Sequence, residues 1–105
     1  MEERLENLIK EFLEWCYKIY RKESRGCEEA NKLTMKIPVT IEGVEFSCWR
    51  EYTTYKACQY LQEKCPEGDF QVNLDGNDSW IECSLTEKQI GSLEKIVDEF
   101  LKEYT

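Results

Sequence analysis

The chain has 105 residues, of which 41% are hydrophobic and 34% charged, and its formal net charge is −8. This length predicts a single compact domain over residues 1–105, which buries roughly two-thirds of the surface of the unfolded chain. No apolar run reaches the roughly 18 residues that a membrane span needs. The N-terminus is acidic and amphipathic, unlike a basic signal peptide. We therefore expect a cytoplasmic protein without membrane contact.

The negative charge is concentrated in the last third of the chain. Residues 69–105 contain 9 acidic and 3 basic residues and so carry −6 of the total charge. Direct nucleic-acid binding is disfavoured, because the chain lacks the basic patch that neutralises phosphates. A protein partner with a basic surface is the electrostatically favoured one.

The first predicted element is an amphipathic helix over residues 2–25, ended by Gly26. Its apolar residues recur at steps of three and four, which is the spacing of one helical face. They are Leu5, Leu8, Ile9, Phe12, Leu13, Cys16, Ile19 and Tyr20.

A first ββα unit is predicted over residues 36–65. The segment KIPVTIEGVEFSCW alternates apolar and polar residues on both sides of Glu42-Gly43, which is typical of a hairpin with a two-residue turn. This alternation places Ile37 and Cys48 at the two ends of the apolar face. Residues 53–65 then predict a short helix that ends before Pro66.

A second ββα unit is predicted over residues 69–104. Two alternating segments enclose the loop of VNLDGNDSWIECSL, and Thr86-x-x-Gln89 forms a capping box at the start of a final amphipathic helix. The element order is therefore α-ββ-α-ββ-α. It predicts an α+β fold in which a four-stranded antiparallel sheet has its helices packed mainly on one face.

The loop of the second hairpin has oxygen-rich residues around a glycine, which raises the possibility of a cation site. An EF-hand loop that starts at Asp75 would use Asn77 and Ser79, but it would need Gly where Trp80 stands and Glu where Thr86 stands. The template fails, and Asp-Gly and Asn-Asp are typical turn residues. We expect a turn, with no metal and no cofactor.

Catalysis finds little support in the composition. The chain has no histidine, and its six cysteines form no C-x-x-C pair or zinc spacing. We expect the cysteines to be reduced, and those on the apolar stripes to behave as small hydrophobes. General acid–base chemistry and an activated thiol both lack their usual histidine. The sequence therefore predicts a protein that is not an enzyme.

The candidate partner-binding residues begin with two tryptophans. Alternation in the second hairpin sends Trp80 and Glu82 to the polar face of the sheet, and we expect Trp49 on the polar face of the first hairpin. A tryptophan in such a position is either an anchor for a partner or is covered by the protein itself. The N-terminal helix, through Trp15 and Tyr17, or a homodimer seam would supply such a cover.

The other candidate residues are acidic and lie in the last third of the chain. They are Asp75, Asp78 and Glu82 on the second hairpin and Glu87, Glu94 and Asp98 along one flank of the last helix. Such a stripe can imitate a phosphate backbone. The alternative is a solvated surface that serves solubility, because lysines interrupt the acidic residues of the helix.

The element order resembles that of the small acidic chaperones of type III secretion, most closely over residues 70–104. This resemblance implies a homodimer that holds a segment of another protein. In size and charge the chain is also similar to phage-encoded inhibitors of bacterial defence nucleases. We therefore expect a non-catalytic acidic binding module, most concretely an inhibitor or adaptor that engages a basic surface of a nucleic-acid-handling protein. A homodimeric chaperone-like protein is the alternative, and a small enzyme or ligand-binding domain is a more remote one.

Overall fold

The computed structural model describes residues 3–23 and 28–104, apart from the side chains of residues 21–23. The described helices and strands are α1 (Glu3–Glu23), α2 (Glu28–Thr34), β1 (Val39–Ile41), β2 (Val44–Phe46), α3 (Trp49–Lys64), β3 (Gln71–Asn73), β4 (Trp80–Glu82) and α4 (Glu87–Tyr104). Short 3-10 turns occupy Pro66–Gly68 and Gly76–Asp78. The predicted α+β class is confirmed, while residues 2, 24 and 25 of the first predicted helix and its Gly26 cap lie outside the described residues.

The two amphipathic helices predicted at the ends of the chain are confirmed as α1 and α4. Their apolar stripes are buried in one core together with α3 and the second hairpin. Phe12 of α1 is fully buried at the centre of this core, where its ring meets Phe100 of α4 edge-on at 5.1 Å between centroids. Within the described residues, no helix combines the length and apolar character that crossing a membrane requires.

The predicted capping box at the start of α4 is also confirmed. The backbone N–H of Thr86 donates to Oε1 of Gln89 at 2.9 Å, and the N–H of Gln89 donates to Oγ1 of Thr86 at 3.3 Å. These two bonds satisfy N–H groups that have no partner inside the helix. Leu85 and Ile90 on either side of the box both pack into the main core.

We expect Thr86→Ala to lower the free energy of unfolding by about 1 kcal/mol, because it removes the acceptor for the Gln89 N–H. Urea unfolding followed by circular dichroism measures the change. Ser84→Ala is the matched control: Ser84 is exposed two residues earlier and should change stability by less than about 0.5 kcal/mol. Equal losses in the two variants would show that the cap does not stabilise α4.

The first hairpin has the predicted two-residue turn and register. Val39 pairs with Phe46 and Ile41 with Val44, and the turn residues Glu42 and Gly43 have φ angles of 53° and 79°. Two successive positive φ angles are typical of the turn that matches the twist of a hairpin. The predicted apolar face is shorter than expected, because Ile37 is 45% exposed and Cys48 lies beyond β2.

The predicted four-stranded sheet, with helices mainly on one face, is wrong. The described strands form two separate two-stranded antiparallel sheets, β1–β2 and β3–β4. Each strand has only three residues, so its free edge offers few hydrogen bonds to another hairpin. Both hairpins instead pack against α3.

Helix α3 occupies the central position and is longer than predicted. It begins at Trp49 rather than at residue 53, and it contacts α1, α2 and both hairpins. Its buried residues do not form one stripe; they are Glu51, Tyr52, Thr53, Thr54, Ala57, Cys58 and Leu61. A helix that is enclosed on several sides lacks the 3.6-residue periodicity by which amphipathic helices are recognised.

A smaller second core lies between α2, the first hairpin and the start of α3. Leu33, Val39, Phe46 and Tyr52 are its buried members. The hydroxyl of Tyr20 in α1 donates to the hydroxyl of Tyr52 at 2.9 Å, which joins this core to the first helix. α3 therefore belongs to both cores and fixes the position of each hairpin relative to α1.

Candidate partner-binding face

The second hairpin presents the polar face that its alternation predicts. In the register of β3 and β4, Asn73 lies opposite Trp80 and Gln71 lies opposite Glu82. Ile81, which points the other way, is fully buried. The side chain of Glu82 is exposed, while Trp80 is half-buried and packs against the main core.

The loop of this hairpin is held by its own hydrogen bonds. The hydroxyl of Ser79 donates to the carbonyl of Gly76 at 2.7 Å and accepts the N–H of Asp75 at 3.0 Å. Ser79 is 4% exposed, so the oxygen that a cation would need is buried and already used. In the part of the chain that the structure describes, no three Cys, Asp or Glu residues are grouped so as to hold a metal ion.

Glu51 fixes this loop to the start of α3, a role that sequence reasoning missed. Its Oε1 accepts the N–H of Ser47 at 2.7 Å and the hydroxyl of Ser47 at 2.8 Å, and its Oε2 accepts the N–H of Gly76 at 2.8 Å. The residue is only 8% exposed. One carboxylate thus joins the end of the first hairpin to the loop of the second.

The surroundings of Glu51 also determine its ionisation. Burial alone would raise the pKa of this carboxyl, but the N–H groups of Ser47 and Gly76 and the hydroxyl of Ser47 lower the pKa by more. The net result is a pKa below the ordinary value of 4.5. Glu51 is therefore a charged, fully hydrogen-bonded acceptor at neutral pH.

Trp49 does not lie on the polar face of the first hairpin, which corrects the prediction from alternation. It is the first residue of α3, because the chain bends into the helix immediately after β2. The ring of Trp49 meets Tyr20 edge-on at 5.7 Å and stacks on Tyr52 at 6.4 Å between centroids. It is half-buried as a result.

Helix α1 lies beside both tryptophans, across a depression from each. A depression of about 310 Å³ is bounded by Trp80 and Asp78 of the second hairpin and by Leu13 and Tyr17 of α1. Trp49 borders a second depression of about 250 Å³, which Tyr17 also lines. Tyr17, one of the two α1 residues expected to provide a cover, lines both depressions, while the α1 ring that contacts Trp49 is that of Tyr20.

The acidic residues of the predicted site fall into two electrostatic groups. Arg4 of α1 forms ion pairs with both Glu87 and Glu94 of α4, so part of their charge is compensated within the protein. Asp98 on the same helix is exposed and has no ion pair with any described residue.

The three carboxylates of the second hairpin form the other group. Asp75, Asp78 and Glu82 are all exposed, and none of them forms an ion pair within residues 3–23 and 28–104. We call the exposed surface of Asp75, Asp78, Trp80 and Glu82 the acidic hairpin face. It combines uncompensated negative charge with one aromatic side chain.

Four of the described cysteines, Cys16, Cys58, Cys65 and Cys83, are buried in the main core or packed against it. Cys16, Cys48, Cys58, Cys65 and Cys83 are all free thiols. Burial raises the pKa of Cys16 to about 12 and that of Cys58 to about 11. Thiols with such pKa values stay protonated at neutral pH and are poor nucleophiles.

Comparison of the chain with protein-family models, with curated proteins and with solved structures gives no match.

Proposed function

We propose that the protein is a non-catalytic binding module whose acidic hairpin face engages a basic surface of a protein partner. The observation that carries this proposal is the set of three exposed carboxylates, Asp75, Asp78 and Glu82, without an ion pair among the described residues. Lysine and arginine side chains of a partner would supply the missing counter-charge. Opposite charges of this kind accelerate association and orient the two surfaces.

Trp80 gives the face an anchor that charge alone does not provide. Tryptophans contribute disproportionately to binding energy when they lie in the middle of an interface. The half-buried indole is held by the main core and presents its remaining surface beside Glu82 and Asp78. It therefore binds without the entropy loss of a freely rotating side chain.

The α4 carboxylates take a secondary part in this proposal. Glu87 and Glu94 already share Arg4, so a partner cation gains less there than at the hairpin. Asp98 extends the acidic surface along the helix. The most concrete version of the partner is a nucleic-acid-handling protein, whose phosphate-binding surface is basic and would be blocked by an acidic mimic.

A homodimer built on Trp49 and Trp80 is the alternative. Both tryptophans are half-buried within the protein, Trp49 against two tyrosine rings and Trp80 against the main core, which leaves less apolar surface for a second copy and favours a different partner. Light scattering at about 10 µM protein separates the two cases. A chaperone-like dimer should have a dissociation constant of about 1 µM or lower and would therefore be dimeric at this concentration. A monomer supports our proposal, and a dimer that Trp80→Ala dissociates supports the alternative.

We expect the triple variant Asp75→Lys/Asp78→Lys/Glu82→Lys to lose its partner. The experiment is quantitative affinity purification from the native host, with wild type and variant compared for each co-purified protein. A partner of the acidic hairpin face will be depleted about tenfold or more, because three attractive charge contacts become repulsive.

The matched control is Glu11→Lys/Glu45→Lys/Glu63→Lys, which changes the net charge equally at three exposed carboxylates away from the face. It should retain the partner. Equal recovery of every co-purified protein with both triple variants would contradict the proposal, as would equal depletion with both.

A further inference from the structure

A groove between α1 and α3 separates the two tryptophans. The depressions of about 310 and 250 Å³ share three lining residues, Glu14, Tyr17 and Arg50, and so adjoin each other; we call the two together the α1–α3 groove. Trp80 borders it on one side of Arg50, and Trp49 borders it on the other. The groove thus offers an aromatic wall on each side of a cation.

Arg50 is held in place by a stack and a chain of hydrogen bonds. Its guanidinium carbon lies 4.4 Å from the ring centroid of Tyr17. The hydroxyl of Thr54, which is fully buried, donates to the carbonyl of Arg50 at 2.6 Å. The Tyr17 hydroxyl, 3.0 Å from Thr54 Oγ1, must therefore be the donor in that pair. The ring that supports the guanidinium is fixed at both its face and its hydroxyl.

The N–H donors of Arg50 are not used within the described chain. Among the described residues its only ion pair is with Glu14, whose Oε1 lies 4.0 Å from Nη1, too far for a hydrogen bond. No side-chain hydrogen bond of Arg50 is formed with any described residue, and the side chain is 42% exposed. A planar guanidinium with free donors matches a carboxylate in a bidentate pair.

We propose that the α1–α3 groove binds an extended peptide segment of a partner protein that carries an aspartate or glutamate between two apolar side chains. The carboxylate pairs with Arg50, and the apolar side chains lie against Trp49 and Trp80. Glu14 and Asp78 line the same groove and would repel a doubly charged phosphate more than a singly charged carboxylate. This inference rests on the proposed function only in requiring a protein partner.

Synthetic peptides test the groove directly. The probes are acetylated, amidated nonapeptides of serine and glycine with a central aspartate and a leucine two or three residues away on each side. Titration calorimetry measures their dissociation constants for the folded protein. Replacing the central aspartate by asparagine should weaken binding about tenfold or more, because it removes a charge-assisted bidentate pair. This comparison changes only the peptide and needs no protein variant.

The protein variants locate the same interaction. Arg50→Gln should weaken binding of the aspartate peptide as much as the asparagine substitution in the peptide does. Arg50→Lys should weaken binding less, because lysine keeps the positive charge and loses only the bidentate geometry of the guanidinium. Lys56→Gln is the matched control: it removes an exposed cation of the same helix that does not line the groove. It should bind as the wild type does.

The outcomes separate this inference from the proposed function. Asp75→Lys/Glu82→Lys removes charge from the acidic hairpin face outside the groove, and it should leave aspartate-peptide binding undiminished. Tighter binding of a phosphoserine peptide would overturn the carboxylate assignment. Failure of all aspartate peptides to bind, or unchanged binding to Arg50→Gln, would overturn the groove as a peptide site. The triple variant of the acidic hairpin face also replaces Asp78, which lines the groove, so the double variant is the one that separates the two sites.

Discussion

Replacing Glu51 by glutamine is expected to lower the free energy of unfolding by about 2–3 kcal/mol, because one of the two charged acceptor oxygens becomes an NH₂ donor and the other loses its charge. The carboxylate accepts from Ser47 through one oxygen and from Gly76 through the other. Glutamine keeps one of these acceptors, while its NH₂ group faces a donor at the other position. Urea unfolding followed by circular dichroism measures the loss. Glu63→Gln, exposed on the same helix, should change stability by less than about 0.5 kcal/mol.

The effect of Glu51→Gln should also depend on pH. The pKa of Glu51 in the folded protein lies below its ordinary value of 4.5, so its ionised form stabilises the fold fully above about pH 5. That stabilisation is lost as the pH falls below 4.5 and through the folded-state pKa. The stability difference between wild type and variant should therefore shrink in acid. A difference that stays constant from pH 7 to about pH 3 would show that the charge of Glu51 is not what holds the loop.

Phe12→Ala is expected to have the largest effect on stability, a loss of about 3–5 kcal/mol. Phe12 is fully buried, and its ring contacts both Tyr60 of α3 and Phe100 of α4. Truncation leaves a cavity where three helices meet. A domain of this size has only about 5–15 kcal/mol of stability in total. The variant should therefore unfold at a much lower urea concentration.

Two comparisons interpret the Phe12 result. Phe12→Leu keeps most of the apolar volume and should lose less than half as much stability. Met35→Ala removes an apolar side chain that is 71% exposed and should cost less than about 0.5 kcal/mol. A loss of less than about 1 kcal/mol in Phe12→Ala would contradict the packing of α1 between α3 and α4.

Local signals in the sequence account for the elements that were predicted well. The stripes of α1 and α4 repeat at helical spacing because each helix buries a single face. Glu42-Gly43 and the Thr86–Gln89 box each specify a conformation within a few residues of chain. The interactions that determine these elements involve residues close together in the chain, so a single sequence is enough to recognise them.

The central helix was harder to predict because its environment is not local. Residues 49–52 follow a strand, and the residues after them include Thr53, Thr54 and Tyr55, which have high β propensity. Burial of α3 on several sides removes the periodic stripe that would have indicated an earlier start. The four-stranded sheet was predicted from element order alone, and three-residue strands that pack on α3 do not need to pair with each other.

In the candidate site too, features specified by local sequence were predicted better than features that depend on distant contacts. Glu82 is exposed, as alternation in the hairpin predicts, whereas Trp80 has the expected position in the register but packs against the main core instead of facing away from it. Trp49 was misplaced because the strand ends earlier than expected. The roles of Glu51 and Arg50 depend on contacts with Gly76 and Tyr17, which are far away in the sequence. A glutamate at the third position of α3 would have indicated a capping role if the helix start had been known.

The most direct test of the proposed binding function is how the affinity for the partner depends on salt. The partner is the protein whose recovery in affinity purification falls with the triple variant. Between about 0.05 and 0.3 M NaCl, the wild-type dissociation constant should rise about tenfold or more, because the exposed carboxylates of the acidic hairpin face are progressively screened. The Asp75→Lys/Asp78→Lys/Glu82→Lys variant should bind the partner weakly at every salt concentration, and lowering the salt should not increase its affinity. A wild-type dissociation constant that does not change with salt would contradict recognition of a basic surface.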